Sequence, residues 1–124
     1  MAERLALLIW AATPEHPALV VTPLVHALAA CALDAEVEIH FAGPAVRWLI
    51  PEVADQAWPS AAREKSVGDF LREVDAAGAR LYACGMARAA WISETEALFP
   101  NARAAGATAF MGRTLDPAWR TLTY

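Results

Sequence analysis

Residues 4–12, Arg4-Leu5-Ala6-Leu7-Leu8-Ile9-Trp10-Ala11-Ala12, are apolar after the first position. A short, continuous apolar run of this kind predicts a central strand buried on both faces. Thr13-Pro14-Glu15-His16-Pro17 follows as a turn rich in helix-start signals. Residues 17–33 then contain no carboxylate, lysine or arginine, and the spacing predicts a buried helix starting at His16 or Pro17. Pro23 lies inside it. Interior proline costs about 3 kcal/mol, so the stretch is read as one helix kinked there, the other reading being a helix that starts with Thr22 as N-cap and Pro23 in its first position.

Residues 35–42 alternate, with Glu36, Glu38 and His40 against Val37, Ile39 and Phe41. That pattern predicts a strand with one polar face, placed near a sheet edge or a subunit boundary. Gly43-Pro44 makes a turn, 45–49 a short helix, and 51–60 an irregular segment between Pro51 and Pro59. Residues 66–77 read as an amphipathic helix. Ser66 is its cap, Asp69 completes a capping-box variant, and Val67, Phe70, Leu71 and Val74 form its apolar face. Gly78 ends the helix. Residues 79–84 form the next strand, 85–90 a short helix after a glycine turn, and 93–101 a polar loop. The chain closes with a short strand at 102–105, a helix at 106–115 stopped by Asp116-Pro117, and a last strand at 119–124. Strands alternating with helices imply one α/β domain spanning 1–124: a three-layer sandwich, its sheet about five-stranded and mainly parallel, with helices on both faces.

Composition narrows the partners. Hydrophobic residues make up 57% of the 124 and charged residues 19%, more apolar than an ordinary soluble domain, so part of the apolar surface is expected to meet another subunit. The net charge is −4, without a Lys/Arg cluster, which argues against nucleic acid. The first apolar run has a faint likeness to a signal peptide, but its leading residues carry both charge signs and a strand explains it equally well. The 17–33 stretch is short for a bilayer and interrupted by Pro23 and His26, so no membrane segment is expected. The two cysteines, Cys31 and Cys84, form neither a CxxC nor a metal-ligand spacing, and point to a reducing cytosol.

Cys84 is the candidate reactive group. It ends a strand and is followed by Gly85-Met86-Ala87-Arg88, and in open α/β sheets chemistry collects just past the carboxyl ends of the strands. Helix N–H dipoles there favour a thiolate. The backbone N–H groups of Gly85 and Met86 form a candidate nest for the anion, and Arg88 adds positive charge one turn on. The competing reading is a cysteine buried as a small hydrophobe, which is the reading adopted for Cys31. His40 is a candidate base near the end of the second strand. Glu15 and His16, at the same edge of the sheet, are candidate pocket residues whose ordinary role is helix-start polarity. His26 reads as a hydrogen-bonded core or interface residue, Glu94 and Glu96 as a solvated loop, and Trp48 and Trp58 as a lid or subunit contact. No metal site and no cofactor are expected: GxGxxG and P-loop patterns are absent, and Ala12-Thr13-Pro14 lacks the glycines a nucleotide or flavin phosphate needs.

Taken together, the first strand and its long apolar helix, Phe41-Ala42-Gly43-Pro44-Ala45-Val46, the helix–Gly78–strand–Cys84-Gly85-Met86-Ala87-Arg88 block and the ending Gly106-Ala107-Thr108-Ala109-Phe110…Leu122-Thr123-Tyr124 resemble the DsrE/DsrF-like family of small sulfur-relay proteins. The resemblance implies a flavodoxin-like domain that assembles as a trimer or hexamer. It also implies that the position matching Cys84 carries sulfane sulfur as a persulfide, taken from a donor protein and passed to an acceptor protein. Gly43 belongs to the site through the same resemblance. Many members carry a second cysteine, whereas here Cys84 stands alone, which favours relay to a partner thiol over an internal disulfide. The reading from a different class is a non-catalytic homo-oligomeric module that binds a small ligand or peptide around an unmodified Cys84.

Overall fold

In the computed structural model, which describes residues 3–124, five strands form one all-parallel sheet in the order β4-β3-β2-β1-β5. They are β1 (Arg4–Ile9), β2 (Glu36–Phe41), β3 (Arg80–Cys84), β4 (Arg103–Ala105) and β5 (Arg120–Thr123). The helices are α1 (Ala18–Ala32), α2 (Pro51–Ala54), α3 (Val67–Ala76), α4 (Gly85–Trp91) and α5 (Ala107–Leu115), with a 3₁₀ segment at Gly43–Leu49. The alternation predicted from the sequence is therefore present, and the fold is α/β of flavodoxin-like type. One addition is α2, a single turn inside the segment expected to be irregular.

Strand order decides which face each helix covers. From β1 through β4 the chain steps across the sheet in one direction, and right-handed crossovers in one direction leave their helices on one face. The return from β4 to β5 runs the other way and puts α5 on the opposite face. Alternation along β1 records this: Leu7 and Ile9 pack with Val20, Leu24, Ile39, Phe41, Leu71 and Leu81 in the main core, whereas Ala6 and Leu8 pack with Phe110 and Trp119. Helices thus lie on both faces, but very unequally.

α1 runs without interruption through the buried Pro23. The proline removes the helix bond to the Leu19 carbonyl. Leu19 is exposed, so water can serve that oxygen. α3 begins with the expected capping box: the Ser66 hydroxyl accepts from the Asp69 N–H (3.1 Å) and the Asp69 carboxylate from the Ser66 N–H (3.4 Å).

Four expectations are corrected. β2 is the central strand rather than an edge, pairing with β1 on one side and β3 on the other; its polar positions are tolerated because Glu38 and His40 find charged and aromatic partners beneath α5. Trp48 is fully buried, its indole N–H donating to the Ala12 carbonyl at 2.7 Å, so it is core rather than lid. Glu96 is not merely solvated: both Arg47 guanidinium nitrogens donate to it at 3.1 and 3.0 Å, and its carboxyl is held at about 2 by that pair and the Ser93 N–H. His26 makes the hydrogen bond expected of it, to the Tyr124 hydroxyl, but is exposed rather than core.

Candidate functional site

The carboxyl ends of β1, β2, β3 and β4 converge with the start of α5 around a cavity of ≈ 180 Å³. It is lined by Leu8, His40, Phe41, Ala42, Cys84, Ala105, Gly106, Ala107, Phe110 and Met111. The pairing explains the convergence. Leu8 lies beside His40, His40 beside Tyr82, and Cys84 beside Ala105. Paired residues of parallel strands share a face, and residues two apart along a strand share it too. One polar and reactive column, Glu38-His40 on β2 and Tyr82-Cys84 on β3, therefore faces α5.

Cys84 is half-buried and is the residue immediately before α4, which begins directly at Gly85. Its side chain accepts no capping hydrogen bond from the helix backbone. Cys31 is also half-buried, against the main core, and burial pushes its thiol above the usual cysteine range.

His40 is buried, with its ring stacked on Tyr82 (centroids 4.9 Å apart) and meeting Phe110 edge-on at 5.3 Å. Its Nε2 bonds Glu38 Oε1 at 3.0 Å. Burial lowers its pKa, against the opposing pull of the Glu38 carboxylate, so the imidazole is neutral at pH 7. Glu38, 2% exposed, is the electrostatic hub. Arg113 Nε and Nη2 donate to its two oxygens at 3.1 and 2.9 Å, and Arg80 adds a bond at 3.3 Å. Burial alone would raise the Glu38 pKa, but the Arg113 and His40 bonds and charges outweigh it and the carboxyl sits below its ordinary value. Arg113 also lies over the Trp119 ring at 4.1 Å, which ties α5 to the sheet. Glu38 and Arg113 were not singled out from the sequence. The one available signal was the alternation Glu36-Glu38-His40, which places a carboxylate and an imidazole on the same face of one strand.

The remaining sequence candidates fall elsewhere. Gly85 and Arg88 line a separate depression with Ile92, Ser93 and Glu96. Met86 is 84% exposed. Glu15 and His16 are exposed in the β1–α1 connection. Gly43, at φ +55°, begins the 3₁₀ segment just past Ala42; a left-handed backbone suits glycine and turns the chain away at the cavity margin. Among the described residues, no group of three His, Cys, Asp or Glu is placed to hold a metal, and no helix is long and apolar enough to cross a membrane.

The block around the strand-end Cys84 is where the sequence best resembles a known family, and the family model for DsrE/DsrF-like proteins matches residues 6–124. The chain belongs to the DsrE/DsrF-like family. The crystal structure of the ychN protein from E. coli aligns over 100% of both chains with a TM-score of 0.74 at 13% sequence identity, a likeness of fold. No curated protein matches the sequence. Within this family member, then, Cys84 and His40 share one cavity, while the other residues singled out from the sequence lie at its margin or beyond.

Proposed function

We propose that this DsrE/DsrF-like protein is a cytoplasmic sulfur-relay protein that carries sulfane sulfur as a persulfide on Cys84 and passes it to a partner thiol. The carrying observation is the position of Cys84: accessible, at the carboxyl edge of the sheet, and opening on an apolar cavity. A relay needs one thiol that meets its donor and then shelters the terminal sulfur. Apolar walls slow the access of water and polar reductants to such a group. Transfer is thiol exchange in form, so it depends on Cys84 thiolate. Cys31 lies behind the core with a raised pKa, which leaves the outgoing sulfur to a second protein's thiol. In this reading the protein works as a homo-oligomer, trimeric or hexameric as the family implies.

The test is incubation with glutathione persulfide followed by peptide mass spectrometry. A reductant-reversible gain of sulfur at Cys84, absent in Cys84→Ser, is expected. An intact fold with an unmodified Cys84 removes the relay reading. A second reading rests on the apolar lining itself: a cavity of ≈ 180 Å³ without a free charge in its wall also fits a small apolar ligand held by a non-catalytic module. Binding of such a ligand that is unaffected by Cys84→Ser, with sulfur uptake absent, favours that reading.

A further inference from the structure

We propose that His40, oriented by Glu38, accepts the proton of the Cys84 thiol and returns it to the leaving sulfur during the transfer proposed above. This rests on the sulfur-relay reading and adds a named proton carrier to it.

The two ring nitrogens of His40 are not equivalent. Nε2 is committed to Glu38 Oε1. A carboxylate only accepts, so Nε2 carries the proton and Nδ1 keeps its lone pair. Among the described residues, none hydrogen-bonds Nδ1, yet no fully buried side-chain nitrogen or oxygen lacks a partner. Nδ1 therefore opens on accessible space, and the space that His40 lines is the cavity it shares with Cys84.

The ring has little freedom to point elsewhere, clamped between Tyr82 and Phe110. His40 pairs with Tyr82 and Cys84 lies two residues on along the same strand and face, a diagonal of about 8 Å between neighbouring parallel strands. Both side chains reach from that diagonal into the same cavity, where one water joins them in the proposed transfer. A nucleophile, a base and a group that orients the base are thus supplied by adjacent strands.

The charged and titratable groups around His40 define what it feels. Glu38 comes from its own strand, Arg80, Tyr82 and Cys84 from β3, and Arg113 from α5; β1 contributes the apolar Leu8. Both guanidiniums are engaged by Glu38, so the carboxylate stays ionised and keeps the Nε2 proton in place.

The step balances without an added oxidant. The Cys84 thiol gives its proton, through one water, to His40 Nδ1. The thiolate attacks the outer sulfur of a donor persulfide, R–S–SH. A new sulfur–sulfur bond forms at Cys84 while the donor's breaks, and its electron pair leaves on R–S⁻. The His40 imidazolium then protonates R–S⁻, giving R–SH and Cys84–S–SH. Glu38 is a positioning residue: it touches neither sulfur.

The test reads the rate of Cys84 alkylation by iodoacetamide against pH, by peptide mass spectrometry. In the wild type the rate is expected to fall with the protonation of His40, below its ordinary value of 6.5. In His40→Asn that inflection disappears and the rate at neutral pH drops about tenfold or more. In His40→Ala, added imidazole restores part of the rate, which a purely structural role of the ring does not allow. A wild-type profile in His40→Asn overturns the assignment. Should both variants misfold, the wild type still decides: His40 titration followed by NMR is expected to shift once Cys84 is alkylated, and an unchanged titration overturns the coupling. Persulfide loading separates this inference from the relay itself. Equal loading rates in wild type and His40→Asn leave the relay standing and remove the proton carrier. No loading in the wild type, with His40-dependent alkylation retained, removes the relay and keeps the activated thiol.

Discussion

At the level of single residues, the unusual investment is Glu38, a carboxylate 2% exposed beneath two guanidiniums and an imidazole. Removing one partner of a buried ion cluster strands the others, at about 3–5 kcal/mol. Arg80 and Arg113 are each about a third exposed, so Glu38→Gln is expected near the low end, about 3 kcal/mol in chemical denaturation; a loss within experimental error contradicts the hub. The pH dependence follows from two depressed pKa values. A group that binds protons less readily when folded contributes stability above its unfolded pKa and loses it as pH falls toward the folded value. His40 begins to draw on stability below 6.5 and Glu38 below 4.5. Thermal melts are expected to weaken in two stages on acidification, and His40→Asn is expected to abolish the first. Cys84 and His40 were both legible as candidates because strand-end and alternating positions project from sequence directly. Their common partner Arg113 was not, since it meets Glu38 across 75 residues of chain, which no local pattern encodes.

Among the elements, α5 carries the site. It supplies Phe110 and Met111 to the cavity, and it is held on its face of the sheet by Phe110, by the Trp119 that follows it and by the Arg113–Glu38 pair. Phe110→Ala is expected to cost about 3 kcal/mol and to speed alkylation of Cys84 by opening the cavity wall; an unchanged alkylation rate means that the helix does not cover the thiol. Ser66→Ala, by contrast, removes only the α3 cap, at about 1 kcal/mol, and should leave Cys84 reactivity untouched. Element order was readable because each strand and helix carries its own period. The central position of β2 was not. Polar alternation usually marks an exposed face, and only the return of the chain from β4 to β5, beside β1, shows that Glu38 and His40 are covered by a helix from the far end of the sequence. Trp48 misled for a related reason: beside the irregular 51–60 segment it read as a lid or subunit contact, but its N–H finds the Ala12 carbonyl and the ring completes the core.

Seen whole, the molecule is lopsided. Five strands at roughly 4.8 Å spacing make a sheet about 19 Å wide, and a single helix about 10 Å across covers the α5 face. Met111 and Leu115 remain exposed on that helix, Leu19 and Val25 on α1, and Trp10 and Trp91 at the ends of their elements. This distribution fits the self-association expected from the apolar composition and implied by the family. Light scattering at micromolar concentration is expected to give a multiple of 13.3 kDa, and a monomer contradicts the oligomer. Replacing Leu115 by Lys is expected to lower that mass if the α5 side is the contact.

The most direct measurement remains sulfur loading of the wild-type protein, with Cys31 as its internal control. After treatment with glutathione persulfide, mass spectrometry is expected to find added sulfur on Cys84, released by reductant or by an acceptor thiol, and none on Cys31, whose burial raises its pKa. A folded protein whose Cys84 stays unmodified, or that gains sulfur equally on both cysteines, contradicts a relay built around the cavity of Cys84 and His40.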